Sequence, residues 1–154
     1  MLIEKMTENH IDDISELENL SMKSPWSRNM FLEELKTGVA MYRVVMAEKK
    51  AVAYMGMHCV SGEGHITNIA VHPDFRRQGI ASLLIRHFID TAEKNSFEFL
   101  TLEVRESNLP AIECYKKLGF KDVGLRKKYY ENKENAIIMT LFLNDDLDSD
   151  KGGN

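Results

Sequence analysis

Asn68-Ile-Ala-Val-His-Pro-Asp-Phe-Arg-Arg-Gln-Gly-Ile-Ala-Ser82 decides how the rest of the chain is read. Ile69, Ala70 and Val71 have the apolar character of a strand, and His72-Pro73-Asp74 breaks it. Arg76, Arg77, Gln78 and Gly79 then form a basic loop that opens a helix. From Gly79 to about Lys94 the residues Ala81, Leu84, Ile85, Phe88 and Ala92 recur on one helical face, with Arg86, Asp90, Glu93 and Lys94 opposite. A strand feeding a glycine loop and then a helix aims free backbone N–H groups, at the positive end of the helix, toward whatever lies in front. A pyrophosphate suits such a place. Gly79 permits close approach of the backbone, and Arg76 and Arg77 add positive charge. The bland reading is an ordinary strand-to-helix turn. No Gly-Lys-Ser/Thr follows, which argues against a nucleoside triphosphatase.

Working outward, Leu2–Lys5 reads as a short strand. Thr7 is suited to cap a helix in which Ile11, Ile14, Leu17 and Leu20 form one apolar stripe. Ser24-Pro25 ends it, and Ser27 caps a second helix with Phe31, Leu32 and Leu35 inward and Gly38 as a stop. Met41–Ala47 and Ala51–Val60 read as an antiparallel hairpin around Glu48-Lys-Lys50, Ser61-Gly-Glu-Gly64 as a turn, and His65–Val71 as the next strand. Phe97–Val104 is a strand and Leu109–Leu118 a helix that tolerates Pro110 in its first turn. Gly119 supplies a left-handed stop, with Phe120 folding back. Lys121–Arg126 and Ala136–Leu143 are the last strands, joined by the loop Lys127–Asn135. The pattern defines an α/β (α+β layered) domain.

The chain has 154 residues, of which 44% are hydrophobic. That is enough for one globular domain, expected over residues 1–143, with the acidic residues 144–154 expected to be a disordered tail. A net charge of −4 gives no electrostatic case for nucleic acid. Cys59 and Cys114 match no metal spacing and read as reduced, partly buried thiols. No apolar run reaches the length of a membrane span and the N terminus lacks a signal-peptide core, so a cytoplasmic protein with neither a membrane nor a metal site is expected.

Two further residues could carry chemistry. Glu103 stands in the otherwise apolar strand Phe99-Leu-Thr-Leu-Glu-Val104, where a carboxylate either pairs with a cation (Arg105 or Lys121) or faces a cleft as a general base. Tyr115 lies one turn beyond Ala111 on the same helix face. It is either a half-buried core aromatic or a proton donor to a leaving group. Asn108 is placed to cap that helix. His58, His65 and His72 lie near strand ends without ligand spacing. Trp26 after Pro25 is either a packing anchor or part of a groove.

Arg76-x-x-Gly79-x-Ala81 resembles the acetyl-CoA loop of the GCN5-related N-acetyltransferases, the GNAT superfamily, with Ala81 where many members carry a second glycine. Pro25-Trp-Ser27, Ile69-Ala-Val71, Leu102-Glu-Val-Arg105, Ser107-Asn108, Ala111, Tyr115, Leu118-Gly-Phe120, Tyr129-Tyr130 and Ala136-Ile-Ile-Met139 follow in the order found in its RimI-type branch, the ribosomal-protein-alanine N-acetyltransferases. The resemblance implies a GNAT fold, a mixed and mostly antiparallel sheet of about seven strands flanked by about four helices. It implies acetyl-CoA as co-substrate, held by Ile69, Ala70, Val71, Arg76, Arg77, Gln78, Gly79, Ile80, Ala81, Ser82 and Asn108, with Glu103 as proton acceptor and Tyr115 as proton donor. It implies as acceptor the N terminus of a small-subunit ribosomal protein. Asn135 stands where the branch commonly has an acidic residue.

Tyr129 and Tyr130, with no core to fill, are expected to form one wall of a peptide groove, and Pro25 and Trp26 the other. Chemistry favours an α-amine over lysine. Reference pKa values of about 7.7–8.0 and 10.4 make neutral lysine about 300-fold rarer, a cost of about 3.4 kcal/mol. Other acceptors remain open: different N termini, lysine side chains or a small amine. So does a non-catalytic acetyl-CoA-binding module.

Overall fold

The computed structural model describes residues 1–130 and 133–143; the expected tail at 144–154 lies outside them. Seven strands and four helices follow one another as β1 (Leu2–Lys5), α1 (Ile11–Ser21), α2 (Arg28–Lys36), β2 (Ala40–Ala47), β3 (Lys50–Val60), β4 (Glu63–Val71), α3 (Ile80–Lys94), β5 (Phe99–Arg105), α4 (Leu109–Lys117), β6 (Lys121–Arg126) and β7 (Ala136–Phe142). Short 3-10 turns at Glu8–His10 and Pro73–Phe75 precede α1 and α3. The strands form one sheet in the order β1-β2-β3-β4-β5-β7-β6. β1–β2, β2–β3, β5–β7 and β6–β7 pair antiparallel, whereas β4 and β5 pair parallel through Glu63↔Phe99, Gly64↔Leu100 and His65↔Thr101. The mixed sheet with four helices is the architecture the resemblance implied.

By its contacts the chain divides into two compact units. One holds Met1–Cys59 with Thr67–Phe88, the other Val60–Ile66 with the residues from Ile89 onward. In the first unit, Met6, Ile11, Ile14, Leu17, Phe31, Tyr42, Val44, Ala51, Tyr54 and Ala70 form the core. α2 is capped as expected, with Ser27 Oγ accepting from the Met30 N–H at 3.2 Å. α1 departs from the expected stripe. Leu20 is 55% exposed, and the buried face is Ile11, Ile14, Leu17 and Glu18. Steps of three residues lag behind a 3.6-residue turn, so nine residues from Ile11 the side chain has rotated by about 180° to the opposite face.

Gly56 in β3 marks the tightest packing of this unit. A Cβ there would lie 2.3 Å from Tyr42 Cε1 and 2.7 Å from Asn68 Oδ1. The Tyr42 ring is stacked on Tyr54, with centroids 6.5 Å apart, and its hydroxyl donates to Glu34 Oε1 at 2.9 Å.

In the second unit β5 alternates cleanly: Leu100, Leu102 and Val104 are buried, while Phe99, Thr101, Glu103 and Arg105 take the other face. β4 begins at Glu63, two residues before the expected start at His65, because the preceding turn needs only Ser61 and Gly62, both at positive φ. α4 ends as read. Gly119 has φ +101°, its N–H donates to Lys116 O at 3.0 Å, and the Phe120 N–H reaches back to Tyr115 O at 3.0 Å, the bonding pattern of a Schellman stop.

Candidate active site

Glu103 is held, not free. Its Oε2 accepts a hydrogen bond from His65 Nε2 at 2.5 Å, and Arg126 Nε stands 3.4 Å from Oε1. The partners foreseen from sequence, Arg105 and Lys121, are not the ones it takes. Arg105 pairs instead with Glu134, at 3.5 Å, and lies 4.0 Å over the Tyr130 ring. The register explains the difference. His65 stands beside Thr101 in the parallel pair, so Glu103, one same-face step further along β5, is its diagonal neighbour. Arg126 comes from β6, where it faces Ala136 of β7, itself opposite Arg105. The Glu103 side chain is 11% exposed and that of His65 43% exposed. The hydrogen bond from His65 holds the Glu103 carboxyl below the usual carboxylate range. Desolvation opposes this, and the charges of His65 and Arg126 add to it.

Tyr115 is buried on α4, its ring 5.7 Å from that of Phe120. Burial first, then the neighbouring Cys114 and Tyr130, push its hydroxyl well above the ordinary tyrosine range. The phenol therefore keeps its proton at neutral pH and can serve as a donor but not as a base. Asn108 caps α4 through Oδ1, which accepts from the Ala111 N–H at 3.3 Å, so that carbonyl is occupied by the helix. Tyr130 is pushed up to about 12 by burial, against the pull of Arg105, with Tyr129, Glu103 and Glu134 adding to the rise. The two tyrosines meet edge to face at 5.1 Å, and Arg126 lies 5.5 Å over Tyr129. Glu134 ties this segment down, its Oε2 accepting from the Ser107 N–H at 2.8 Å. Asn135, the departure from the branch pattern, spends its Oδ1 on the Lys128 N–H at 2.9 Å. Two residues of the expected groove loop, 131 and 132, lie outside the described residues.

The first unit carries the loop. Arg77 has φ +63° and Gly79 φ +78°. A Cβ at Gly79 would meet no atom within 4 Å, so the space in front of its backbone is open. Ile80, Ala81 and Ser82 form the first turn of α3. Arg76 does not offer its head to that space as expected: its Nε donates to Val71 O and its Nη2 to Ser21 Oγ, both at 3.1 Å. These bonds brace the end of β4, where Ile69, Ala70 and Val71 lie beyond the residues paired with β5.

Trp26 serves first as an anchor. Its backbone N–H donates to the buried Glu18 Oε2 at 3.0 Å, and its ring is 5.4 Å from Phe31. Glu18 Oε1 accepts from the Tyr54 hydroxyl at 2.6 Å, which in turn accepts from Asn68 Nδ2 at 3.0 Å. The outer side of Trp26 lines an open cavity of about 390 Å³ with Asn29, Met30, Glu33, Glu34 and His58. Among the described residues, no group of three or more His, Cys, Asp or Glu side chains is arranged to hold a metal ion. No helix among them is long and apolar enough to cross a membrane.

Sequence reading missed His65, Arg126 and Glu18. The available signal for Glu18 was its place three residues from Ser21 on a helix that has to turn a polar residue inward once Leu20 points out. For His65 the signal was a parallel register that no local pattern reveals.

The chain belongs to the acetyltransferase (GNAT) family, whose model matches residues 11–120, and is an N-acetyltransferase that uses acetyl-CoA. Within it, the chain is 37% identical over 137 residues to a putative [ribosomal protein bS18]-alanine N-acetyltransferase of Bacillus subtilis, covering 88% of this chain and 91% of that protein. The crystal structure of the ribosomal-protein-S18-alanine N-acetyltransferase from Escherichia coli superposes with a TM-score of 0.86 at 32% identity, covering 92% of this chain and 93% of the other. An N-alpha-acetyltransferase of Sulfurisphaera tokodaii is 32% identical over 142 residues, covering 84% of this chain and 85% of that protein.

Proposed function

We propose that this chain transfers the acetyl group of acetyl-CoA to the α-amine of a protein N terminus, that of the N-terminal alanine of a small-subunit ribosomal protein, in the cytoplasm where such proteins are made. The observation that carries the acceptor is the likeness to bS18-alanine N-acetyltransferases over most of both chains. The loop at Arg77–Ser82 binds the pyrophosphate through backbone N–H groups, and the Ile69–Val71 edge of β4 receives the pantetheine arm as an added strand. The neutral amine attacks the thioester carbonyl, a C–N bond forms and the C–S bond breaks. Glu103 accepts the proton that the nitrogen sheds, directly or through one water. Tyr115 hydrogen-bonds the departing sulfur and supplies the proton that makes it a thiol. No covalent enzyme intermediate is needed. Pro25 and Trp26, and Tyr129 and Tyr130, contact the acceptor polypeptide.

A broader range of N termini is the second reading, favoured by the Sulfurisphaera tokodaii relative. One experiment tests both. Peptides with a free N-terminal alanine, with other free N-terminal residues, and with a blocked N terminus plus an internal lysine are mixed with acetyl-CoA and the chain, and intact masses are followed. Fastest acetylation of the alanine peptide is the expected result. Equal rates for all free N termini would select the second reading, and equal or faster modification of the lysine peptide would overturn N-terminal acetylation.

A further inference from the structure

We propose that His65 is the positioning residue of Glu103: its imidazole fixes the carboxylate through Oε2 so that Oε1 is presented to the amine proton. This rests on the reading of Glu103 as the proton acceptor.

A glutamate on a strand has three side-chain torsions to lose, and a base must be held close to one geometry for its proton transfer to be efficient. Among the described residues Glu103 has two charged or polar neighbours at contact range, and they divide its oxygens: His65 on Oε2 at 2.5 Å and Arg126 on Oε1 at 3.4 Å. The first is a hydrogen bond of short, charge-assisted length. The second is long for a hydrogen bond, so Oε1 is the less committed oxygen. Arg126 is itself 56% exposed and lies 5.5 Å over the Tyr129 ring.

The groups around the pair come from every neighbouring element. β5 brings Glu103 and, one same-face step on, Arg105, which is engaged by Glu134 and Tyr130. β6 brings Arg126, and the segment before β7 brings Tyr130, whose ionisation Glu103 opposes. β7 places the apolar Ile138 opposite Glu103. His65 is thus in direct contact with the base, and its donated hydrogen bond is the largest influence holding that carboxyl below its ordinary range. The sign follows. Taking away a donor that stabilises the carboxylate raises the carboxyl toward its ordinary range, so the break in kcat/KM set by Glu103, which lies below the one set by the acceptor α-amine, moves to higher pH.

The test uses His65→Ala and His65→Gln in the full chain, with the alanine-terminated peptide as acceptor. His65→Ala should lose about 10- to 100-fold in kcat and leave the acetyl-CoA Kd unchanged. His65→Gln, whose carboxamide N–H donates to Oε2 without a charge, should recover most of the kcat. Glu103→Gln is run beside them. An inactive Glu103→Gln with a His65→Ala whose kcat is within about threefold of the parent, or a His65→Gln no more active than His65→Ala, would overturn the positioning role alone. A fully active Glu103→Gln would overturn the base assignment and this inference with it.

Discussion

Gly56→Ala tests whether the first unit is packed as tightly as its geometry implies. The added Cβ would stand 2.3 Å from Tyr42 Cε1 and 2.5 Å from Cζ, against an ordinary carbon contact of about 3.5 Å. The ring must therefore move by about 1.2 Å, or the β3 backbone must. The ring is not a flexible end that can swing away. Tyr42 is 3% exposed, stacked on Tyr54 and bonded through its hydroxyl to Glu34. Overpacking costs about 1–3 kcal/mol, and a hydrogen bond to a charged acceptor that is lost as the ring shifts adds about 1.5–3 kcal/mol. The gain from a less flexible unfolded chain, about 0.4–1 kcal/mol, opposes these and loses. We expect a net destabilisation of about 1.5–5.5 kcal/mol. With an unfolding entropy of about 2.1 cal/mol/K per residue over 154 residues, that lowers Tm by roughly 5–17 °C. The assay is thermal and urea unfolding of Gly56→Ala, of Tyr42→Leu and of the double variant. Removing the ring leaves only the 2.7 Å approach to Asn68 Oδ1, so the alanine should cost less, giving a coupling of more than about 1 kcal/mol. A Gly56→Ala protein whose Tm is within about 1 °C of the parent, or a double variant whose losses simply add, would refute the reasoning.

Glu103→Gln should lower turnover by about 10²–10⁴ with acetyl-CoA affinity unchanged by calorimetry, and Tyr115→Phe should do the same. Glu103 also bears on stability. Its folded carboxyl lies below the unfolded value, so it stabilises the fold above the unfolded pKa, and that contribution is lost as the pH falls through the folded one; acid unfolding curves of Glu103→Gln should be flatter there. Gly79→Val places a branched side chain at φ +78° and in the open space before the loop, so CoA affinity should fall by at least about tenfold, a loss of about 1.4 kcal/mol, in a protein that still folds by circular dichroism. Tyr130→Ala should raise the peptide KM or lower kcat/KM while acetyl-CoA binding, read by calorimetry, stays as it was.

How far the sequence could be read depended on the range of the interactions involved. α3 was legible because its apolar positions repeat locally, and Leu84, Ile85, Phe88 and Ala92 are all buried as their spacing says. The stop at Gly119 and Phe120 was legible because it is a property of six consecutive residues. Leu20 misled because a three-residue stripe looks helical over two turns and fails over three. Glu103 stood out as a carboxylate in an apolar strand, but its partners did not, since they come from β4 and β6 and depend on a parallel register set 38 residues away in sequence. Arg76 was read for its charge, whereas its head is spent on Val71 O and Ser21 Oγ, a contact 55 residues distant that no local motif contains. The candidate residues were thus singled out by type, and the groups that bond to them were not.

The ending of α4 has a consequence for how variation in this chain would be perceived. The Phe120 N–H closes onto the carbonyl of Tyr115 itself, and the Phe120 ring packs beside the phenol. The residue permitting that closure is Gly119 at φ +101°, and a Cβ there would come 3.1 Å from Leu141 Cδ1. Any side chain at 119 is strained by the backbone, and Leu141 Cδ1 must also give by a few tenths of an ångström; unwinding the last turn that carries the phenol relieves the backbone strain. A genetic screen for lost acetylation would therefore collect changes at Gly119 alongside those at Tyr115, although the glycine has no side chain to offer the chemistry. A survey scoring only residues that contact substrate would miss it.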